Sequence, residues 1–225
     1  MNKMKYLKLL NPVFLIVILL IPFVTGSLFH WSLLAAALVV IIINGIVIYS
    51  MAKDYEGLYR FSYFDSLTKI PNRLSTDLYC SRIGSIENLS VAVADLDNLK
   101  VMNDTHGHFA GDELIKNFAT AFFTCAGEEG FAARNGGDEF IVFFHQESSE
   151  ERLQRFCEIL QKRIESYNES SPVEIKYSIG CAYGKSSSCR NIHELVSLAD
   201  QLMYQQKKEK KMRQKKQKGC PEDER

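Results

Sequence analysis

The sequence lacks a net charge, because its 225 residues include 27 basic and 27 acidic side chains. It is also short of glycine (13), proline (5) and cysteine (6). The even charge argues against a protein that binds nucleic acid over most of its surface, which requires a basic excess. The scarcity of glycine and cysteine excludes collagen-like and disulfide-dense scaffolds, and a hydrophobic content of 46% excludes a disordered chain.

The cysteines lack the spacing of a zinc site or of a disulfide framework. They are scattered along the chain, and no two of them form a CxxC pair. This pattern predicts small, partly apolar side chains with free thiols in a reducing compartment. The six positions are Cys80, Cys125, Cys157, Cys181, Cys189 and Cys220.

The zero net charge is an average over three segments of different charge. Residues 1–60 carry 5 basic and 2 acidic side chains (+3), residues 61–206 carry 13 and 21 (−8), and residues 207–225 carry 9 and 4 (+5). Asymmetry of this kind indicates segments with different tasks.

Two apolar runs near the N-terminus, residues 9–24 and 31–49, are each long enough to cross a bilayer. They predict a transmembrane hairpin over residues 1–50, whose short connection, residues 25–30, leaves no room for a sensor domain outside the membrane. The alternative is a cleaved signal peptide with a small-residue site at residues 24–26. The second run would anchor the chain in either case.

Basic residues flank the two apolar runs on the same side. Lys3, Lys5 and Lys8 precede the first run, and Lys53 and Arg60 follow the second. The positive-inside rule therefore predicts that both ends of the hairpin, and the domain that follows, face the cytoplasm.

The remaining chain is predicted to form a connecting helix over residues 51–64, one α/β domain over residues 65–211, and a basic tail over residues 212–225. Apolar periodicity predicts the elements of the domain. Its helices are expected at 75–83, 112–124 and 150–168 and from residue 192. Its strands are expected at 91–94, 131–133, 140–144 and 173–182.

The apolar run 91–94 leads directly into two carboxylates, Asp95 and Asp97. Alternation along a strand places both side chains on the same side, where they could hold a hard divalent cation. The alternative is that these residues only cap a strand-to-helix turn.

A second acidic pair, Asp138 and Glu139, follows Gly136 and Gly137 between two predicted strands. The glycines favour a hairpin turn and allow a phosphate chain to approach backbone N–H groups. Carboxylates beside phosphates require a bridging metal ion, so the turn points to Mg²⁺ and a nucleotide. Taken alone, the motif is also compatible with an ordinary hairpin.

Five blocks of sequence, in order, resemble the GGDEF family of diguanylate cyclases, and the resemblance covers about residues 60–211. It implies an α/β (α+β) domain with a mixed five-stranded sheet flanked by helices, similar to class III nucleotide cyclases. The blocks are DSLTKIPNR (65–73), DLDNLKVMNDTHGHFAGDELI (95–115), RNGGDEF (134–140), SIGCA (178–182) and ADQLMYQQK (199–207).

The resemblance also implies a reaction and its partners. In a homodimer, each subunit would bind one GTP, and the two would be condensed to cyclic di-GMP and two pyrophosphates. The cofactor would be Mg²⁺, with Mn²⁺ as a possible substitute. With the predicted hairpin in the lipid bilayer, the protein would be a multi-pass protein of the bacterial inner membrane with a cytoplasmic catalytic domain and no nucleic-acid partner.

Carried over by position, the resemblance implies three metal ligands: the carboxylates of Asp95 and Asp138 and the backbone carbonyl of Leu96. Asp138 would also assist deprotonation of the attacking hydroxyl, and Glu139 would support the metal site. Lys100 would stabilise charge that develops on the phosphates.

The implied substrate-binding residues fall into two groups. Asn103, His108 and Asp112 match positions that contact the guanine nucleotide, and a carboxylate is suited to accept from guanine N–H groups. Lys207 and Lys211 match basic positions that hold the phosphates.

The sequence departs from the family at one regulatory position. Many relatives carry an Arg-x-x-Asp product-inhibition site before the signature turn, but residues 127–130 read Gly-Glu-Glu-Gly. We therefore expect no inhibitory product site of that type. Lys69 is a second departure, because it replaces a customary glycine.

Three alternatives remain open from the sequence. The chain could be a catalytically silent, membrane-tethered GTP-binding or interaction module, or a cyclic dinucleotide synthase with a different base choice. The basic tail could be a solvated helix end, a phosphate grip or a segment attracted to anionic lipids.

Overall fold

A computed structural model of the chain describes residues 28–218, which belong to two compact units, Met1–Tyr59 and Arg60–Arg225. The first unit contributes most of α1 (Leu28–Tyr63). Residues Leu33–Tyr63 of this helix are long and apolar enough to cross a membrane, and their most apolar window has a mean hydropathy of 2.5. Asn44, a polar residue in this stretch, donates its side-chain amide to the Val40 carbonyl at 2.8 Å, as is required in an apolar environment.

The predicted hairpin is thus represented by one helix in the part of the chain that the structure describes. The predicted second span (31–49) and connecting helix (51–64) lie on α1, which runs through both without a break. The predicted first span (9–24) lies outside the described residues.

The second unit alternates strands with helices, as the periodicity predicted. Its helices are α2 (Arg73–Cys80), α3 (Leu99–His106), α4 (His108–Ala126), α5 (Ser149–Ser170) and α6 (Ile192–Lys218). Its strands are β1 (Leu89–Leu96), β2 (Gly130–Arg134), β3 (Glu139–His145) and β4 (Tyr177–Tyr183).

The sheet corrects the expectation of five mixed strands. It has four strands in the order β2-β3-β1-β4, and every neighbouring pair is antiparallel. Among the described residues, Phe64 and Pro71 add only an isolated bridge outside the named strands. The predicted strand at 173–182 was also too long, because pairing with β1 begins only at Tyr177.

The central strand β1 is buried along its whole length and divides the core into two layers. Ala92, Ala94 and Leu96 pack on one face with α4 and α5. Val91 and Val93 point to the other face, where α2 and α6 pack. The continuous apolar run that predicted β1 is the pattern of a strand covered on both faces.

Helices α3 and α4 form the connection between β1 and β2, and Gly107 separates them. Its φ of +82° is disfavoured for residues with a side chain, so the glycine permits the sharp bend. The predicted helix at 112–124 therefore began too late, because α4 already starts at His108.

Candidate active site

Sheet register places the two predicted acidic pairs at the same end of the sheet. Asp95, near the end of β1, pairs with Glu139 at the start of β3. The Leu96 N–H donates to the Asp138 carbonyl at 3.0 Å. Two motifs more than 40 residues apart in the sequence thus lie side by side, as the antiparallel pairing of β1 and β3 requires.

Asp95 is the buried member of this acidic group, with 8% of its surface exposed. Burial raises the pKa of its carboxyl, and the neighbouring Asp138 and Asp97 raise it further, whereas Lys207 opposes them. Lys207, on α6, donates its ammonium to Asp95 Oδ1. One lysine thus compensates a carboxylate that has two acidic neighbours.

Glu139 adds a further negative charge at the surface of the site. Burial raises the pKa of its carboxyl, as do Asp138, Asp200 and Asp95, while Arg73 lowers it. Asp200 lies on α6 and was not singled out by the sequence. The site therefore has an excess of acidic groups, which favours the binding of a cation.

Asp97 has partners different from those of Asp95. Its two carboxylate oxygens accept from the Ser178 hydroxyl, both at 3.1 Å. Lys210 Nζ lies 3.9 Å from Asp97 Oδ2 and donates to the Tyr177 carbonyl. Asp97 therefore links the end of β1 to the start of β4 and to α6, a bracing role that the sequence did not reveal.

The candidate metal ligands provide oxygen donors only. Asp95 and Asp138 supply carboxylates at the same end of the sheet. Leu96, the residue after Asp95, offers its backbone carbonyl. Oxygen ligands are what Mg²⁺ prefers, and Mg²⁺ usually completes its shell with phosphate oxygens and water. Two carboxylates and a backbone carbonyl fit a metal ion that is shared with a nucleotide. No cluster of three or more His, Cys, Asp or Glu side chains suited to a metal occurs in the described chain.

The turn between β2 and β3, which carries Gly136 and Gly137 and is called the signature turn here, is held in place by Arg134. Its guanidinium donates to the Gly137 carbonyl at 2.7 Å and, through Nη1, to Asp65 Oδ1 at 2.8 Å. The Arg134 backbone N–H donates to the Pro71 carbonyl at 2.9 Å. The loop at residues 65–73, the first block of the family resemblance, is thus attached directly to the turn.

Neither glycine of the turn has the left-handed φ that would require glycine. A Cβ added at Gly136 would meet Glu139, with the closest atom at 3.1 Å, whereas one added at Gly137 would meet nothing within 4 Å. Protein packing therefore does not explain Gly137. Open space above an exposed backbone is what a ligand needs in order to approach it.

The residues implied for guanine binding lie around the α3–α4 bend. His108 and Asp112 are exposed on the first turns of α4, and Asn103 is partly buried on α3. Asn103 Oδ1 is buried and has no hydrogen-bond partner among the residues that the structure describes. It lies against Gly111, where an added Cβ would be only 1.9 Å away. A buried acceptor without a partner is uncommon in folded proteins and calls for an explanation.

The lysines of α6 differ in whether their side chains contact the acidic end of the sheet or lie exposed at the surface. Lys207 and Lys210, one helical turn apart, both contact groups at the acidic sheet end. Lys211 is exposed, and so is Lys100 on α3. The structure thus brings Lys207 to the site together with the unpredicted Lys210, and it leaves Lys100 and Lys211 at the surface.

Residues 127–130, which stand in place of the Arg-x-x-Asp motif, connect α4 to the start of β2. Gly127 adopts a φ of +62° just after the helix, and Glu129 forms an ion pair with Arg152 of α5 at 2.9 Å. The positions of the arginine and the aspartate of the family motif are therefore occupied by Gly127 and Gly130.

Comparisons with known proteins agree with this geometry. Residues 62–213 match the family model described as "Diguanylate cyclase, GGDEF domain". Diguanylate cyclase DosC of Escherichia coli (strain K12) is 31% identical over 149 residues, which cover 62% of this chain and 32% of DosC. Cyclic di-GMP phosphodiesterase PdeR of the same organism is 30% identical over 170 residues, covering 73% and 25%. The chain thus spans about a third or less of these curated relatives.

Among solved structures, the coiled coil and GGDEF domain of DgcB from Caulobacter crescentus, in complex with c-di-GMP, superposes with a TM-score of 0.62. Its sequence is 26% identical, and the match covers 78% of this chain and 94% of that one. The family model covers more than half of the chain. On the evidence of its fold, its paired acidic motifs and these matches, the chain belongs to the GGDEF family of diguanylate cyclase domains.

Proposed function

We propose that this protein is a diguanylate cyclase that condenses two GTP molecules to cyclic di-GMP and two pyrophosphates. The observation that carries the proposal is that the buried Asp95 and the partly exposed Asp138 meet beside the open backbone of Gly137. This arrangement combines hard-cation ligands with space for a phosphate chain. The neighbouring Lys207 supplies a positive charge for the same region.

In this proposal each side chain has a role that follows from its position. Asn103 and Asp112 hold the guanine edge, and His108 contacts the nucleotide at the same bend. Lys207 moves from Asp95 toward the phosphates when substrate arrives, because the triphosphate is the stronger anion. Lys100 and Lys211, both exposed, reach the phosphates from the surface.

A Mg²⁺ ion held by Asp95, Asp138 and the Leu96 carbonyl would neutralise the triphosphate and polarise the attacked phosphorus. Asp138 lies at the signature turn, where it can accept the proton of a 3′-hydroxyl. Glu139 supports the ligand carboxylates from the next position. Mn²⁺, another oxygen-preferring divalent ion, would substitute for Mg²⁺.

Each site binds one GTP, whereas the product contains two nucleotides. The reaction therefore needs two sites that face each other, and we propose a homodimer as the active form. We also propose that the chain is a multi-pass protein of the inner membrane, anchored by residues 9–24 and 31–49, with the catalytic domain in the cytoplasm. The apolar, exposed α1 supports the second span of this anchor.

Product identification tests the function. Detergent-solubilised full-length protein is incubated with Mg²⁺ and either GTP or ATP, and the products are identified by chromatography and mass spectrometry. We expect cyclic di-GMP from GTP and no cyclic product from ATP. Asp138→Ala should lower the rate by ~10²-fold or more, whereas Asp77→Ala, the same change at an exposed position of α2, should not.

Two results would contradict the proposal. Formation of cyclic di-GMP at an unchanged rate by Asp138→Ala would remove this residue from the mechanism. Tight GTP binding without any product would favour the catalytically silent module instead.

A further inference from the structure

Two thiols meet on the face of the sheet opposite α6. Cys157 lies on α5 and Cys181 on the edge strand β4, and their sulfur atoms are 3.5 Å apart. Both side chains pack against the core layer formed by α4 and α5. They are 24 residues apart in the sequence, so their meeting is produced by the fold.

This pair has the properties of a reactive dithiol. Both residues are partly rather than fully buried. The pKa of Cys181 is lowered because its thiolate accepts a hydrogen bond from Cys157. The pKa of Cys157 is raised for the reciprocal reason and by burial. The two sulfur atoms are thus close enough for one thiolate to act as the nucleophile and for the other thiol to react next.

The other described cysteines lack such a neighbour. Cys125 lies in the same core layer and interacts with Arg163. Cys80 and Cys189 pack against the layer on the opposite face of the sheet. Within the described part of the chain, the 157–181 contact is the one cysteine pair within hydrogen-bonding distance.

We propose that Cys157 and Cys181 form a reversible oxidation site, at which a peroxide converts the two thiols into a disulfide within one chain. A disulfide needs a sulfur separation of about 2.05 Å, so the sulfurs must approach by roughly 1.5 Å, a distance that side-chain rotation can supply. The inference does not depend on the proposed cyclase activity.

The chemistry balances in two steps. The Cys181 thiolate attacks the peroxide, an S–O bond forms, the O–O bond breaks, and one water is released after proton transfer. Cys157 then attacks the sulfenic sulfur, the S–S bond forms, the S–O bond breaks, and a second water leaves. A dithiol reductant reverses the change by thiol–disulfide exchange. In a reducing compartment the pair would therefore remain as thiols until peroxide appears.

The disulfide would connect α5 to an edge strand. β4 is paired on one side only, with β1, and it carries Ser178, which holds Asp97. A covalent bond at Cys181 would restrict the unfolded chain and secure this strand. We expect oxidation to raise the thermal unfolding midpoint by about 5 °C.

Peptide mapping tests the proposal directly, because trypsin would place the six cysteines on six different peptides. Full-length protein in detergent is reduced, freed of reductant, treated with hydrogen peroxide, alkylated and digested. We expect residues 156–162 linked to residues 177–185, in protein that migrates as a monomer on a non-reducing gel. The link should disappear on dithiothreitol treatment before alkylation.

Variants and unfolding provide the controls. Cys125→Ser should retain the link, while Cys181→Ser should lose both the link and the oxidation-dependent rise in unfolding temperature. The wild-type map alone decides the matter if a variant fails to fold. The proposal is overturned if both peptides remain separately alkylated at a peroxide dose that oxidises any other cysteine. It is also overturned if Cys157 or Cys181 pairs with a different cysteine or across two chains.

Discussion

Two aspartates, Asp65 and Asp95, each pair with one basic residue near the signature turn, and their surroundings are opposite. Asp65 Oδ1 accepts from Arg134 and Thr68, including the Thr68 backbone N–H at 2.8 Å and hydroxyl at 2.7 Å. Asp95 has Lys207 as its ion-pair partner and two carboxylates as neighbours. The first carboxylate accepts several hydrogen bonds at one oxygen, whereas the second has an excess of negative charge around it.

The pKa directions reflect this difference. Burial alone would raise the pKa of Asp65, but hydrogen bonds from Thr68 and Arg134 outweigh it and leave the pKa lowered. At Asp95 burial prevails, and the pKa is raised in spite of Lys207. A carboxylate with satisfied partners stabilises the fold, whereas one that lacks compensation is suited to bind a cation. We therefore propose a structural role for Asp65 and a functional role for Asp95.

The largest expected effect comes from neutralising Asp95. Asp95→Asn removes the charge of a proposed metal ligand while it preserves the shape of the side chain, so under the proposed function we expect cyclic di-GMP formation to fall by ~10²-fold or more. The unfolding temperature should stay the same or rise, because repulsion from Asp138 and Asp97 is relieved. Initial rates and circular dichroism melts measure the two quantities. A variant that melts earlier and keeps its activity would reverse the assignment.

Asp65→Ala should give the opposite pattern. It leaves the half-buried Arg134 without its carboxylate and removes the hydrogen bonds from Thr68, so we expect a loss of about 2 kcal/mol of stability. Denaturant unfolding of the two proteins measures the difference. Lys69→Ala, in the same loop, is the control for removal of a side chain that lies outside this ion pair. Unchanged stability would show that the Asp65 contacts contribute nothing.

The same variant has a predicted pH dependence. Because the folded-state pKa of Asp65 lies below its ordinary value of 3.8, its contribution is fully present above the unfolded pKa and is lost as the pH falls through the folded one. The stability difference between wild type and Asp65→Ala should therefore be constant near neutral pH and shrink in acid. Unfolding measured at a series of pH values tests this. A difference that grew in acid would contradict the sign.

Replacing the cation beside Asp95 should have a smaller effect. In Lys207→Met the carboxylate loses its ammonium partner, so we expect Mn²⁺ without nucleotide to bind about 10-fold more tightly, because the ion no longer competes with the lysine. Binding of GTP should weaken. Calorimetric or spin-resonance titration measures metal binding independently of activity. Lys208→Met, at an exposed neighbour, is the matched control; equal affinities in both variants would exclude competition.

Much of this site could be predicted from local sequence. The apolar run before Asp95 and the two glycines before Asp138 each indicated a strand end with carboxylates. Asp97 has two partners, Ser178 and Lys210, that could not be predicted. Both lie on elements far from Asp97 along the chain. Which residues meet there depends on the register of β1 with β4 and on the rotation of α6. Neither the strand register nor the helix rotation can be predicted from a short stretch of sequence.

The fold shows the same limit. Periodicity identified each strand of the sheet, but the number and direction of strands were taken from a family resemblance and were wrong in this chain. The backbone that follows Pro172 remains irregular up to β4 because the Asn168 side chain, rather than a neighbouring strand, binds both the N–H and the carbonyl of Ile175. Alternation of residue types does not reveal such a competing partner.

The smallest predicted effect concerns Lys69, in the loop at residues 65–73. This lysine replaces a glycine that is customary in the family. Lys69 has a φ of +62°, a left-handed conformation that costs a residue with a side chain roughly 1–2 kcal/mol. Lys69→Gly removes this strain but gives the unfolded chain more freedom, and it also removes the bond from Lys69 Nζ to the Ser66 carbonyl. We expect a net gain in stability of about 0.5 kcal/mol over wild type.

Lys69→Ala, which keeps the strain and loses the same side-chain bond, should be less stable than Lys69→Gly by about 1 kcal/mol. Denaturant unfolding of the three proteins measures both differences. Equal stability of the glycine and alanine variants would show that the relief of strain at this position does not exceed the entropic cost of glycine.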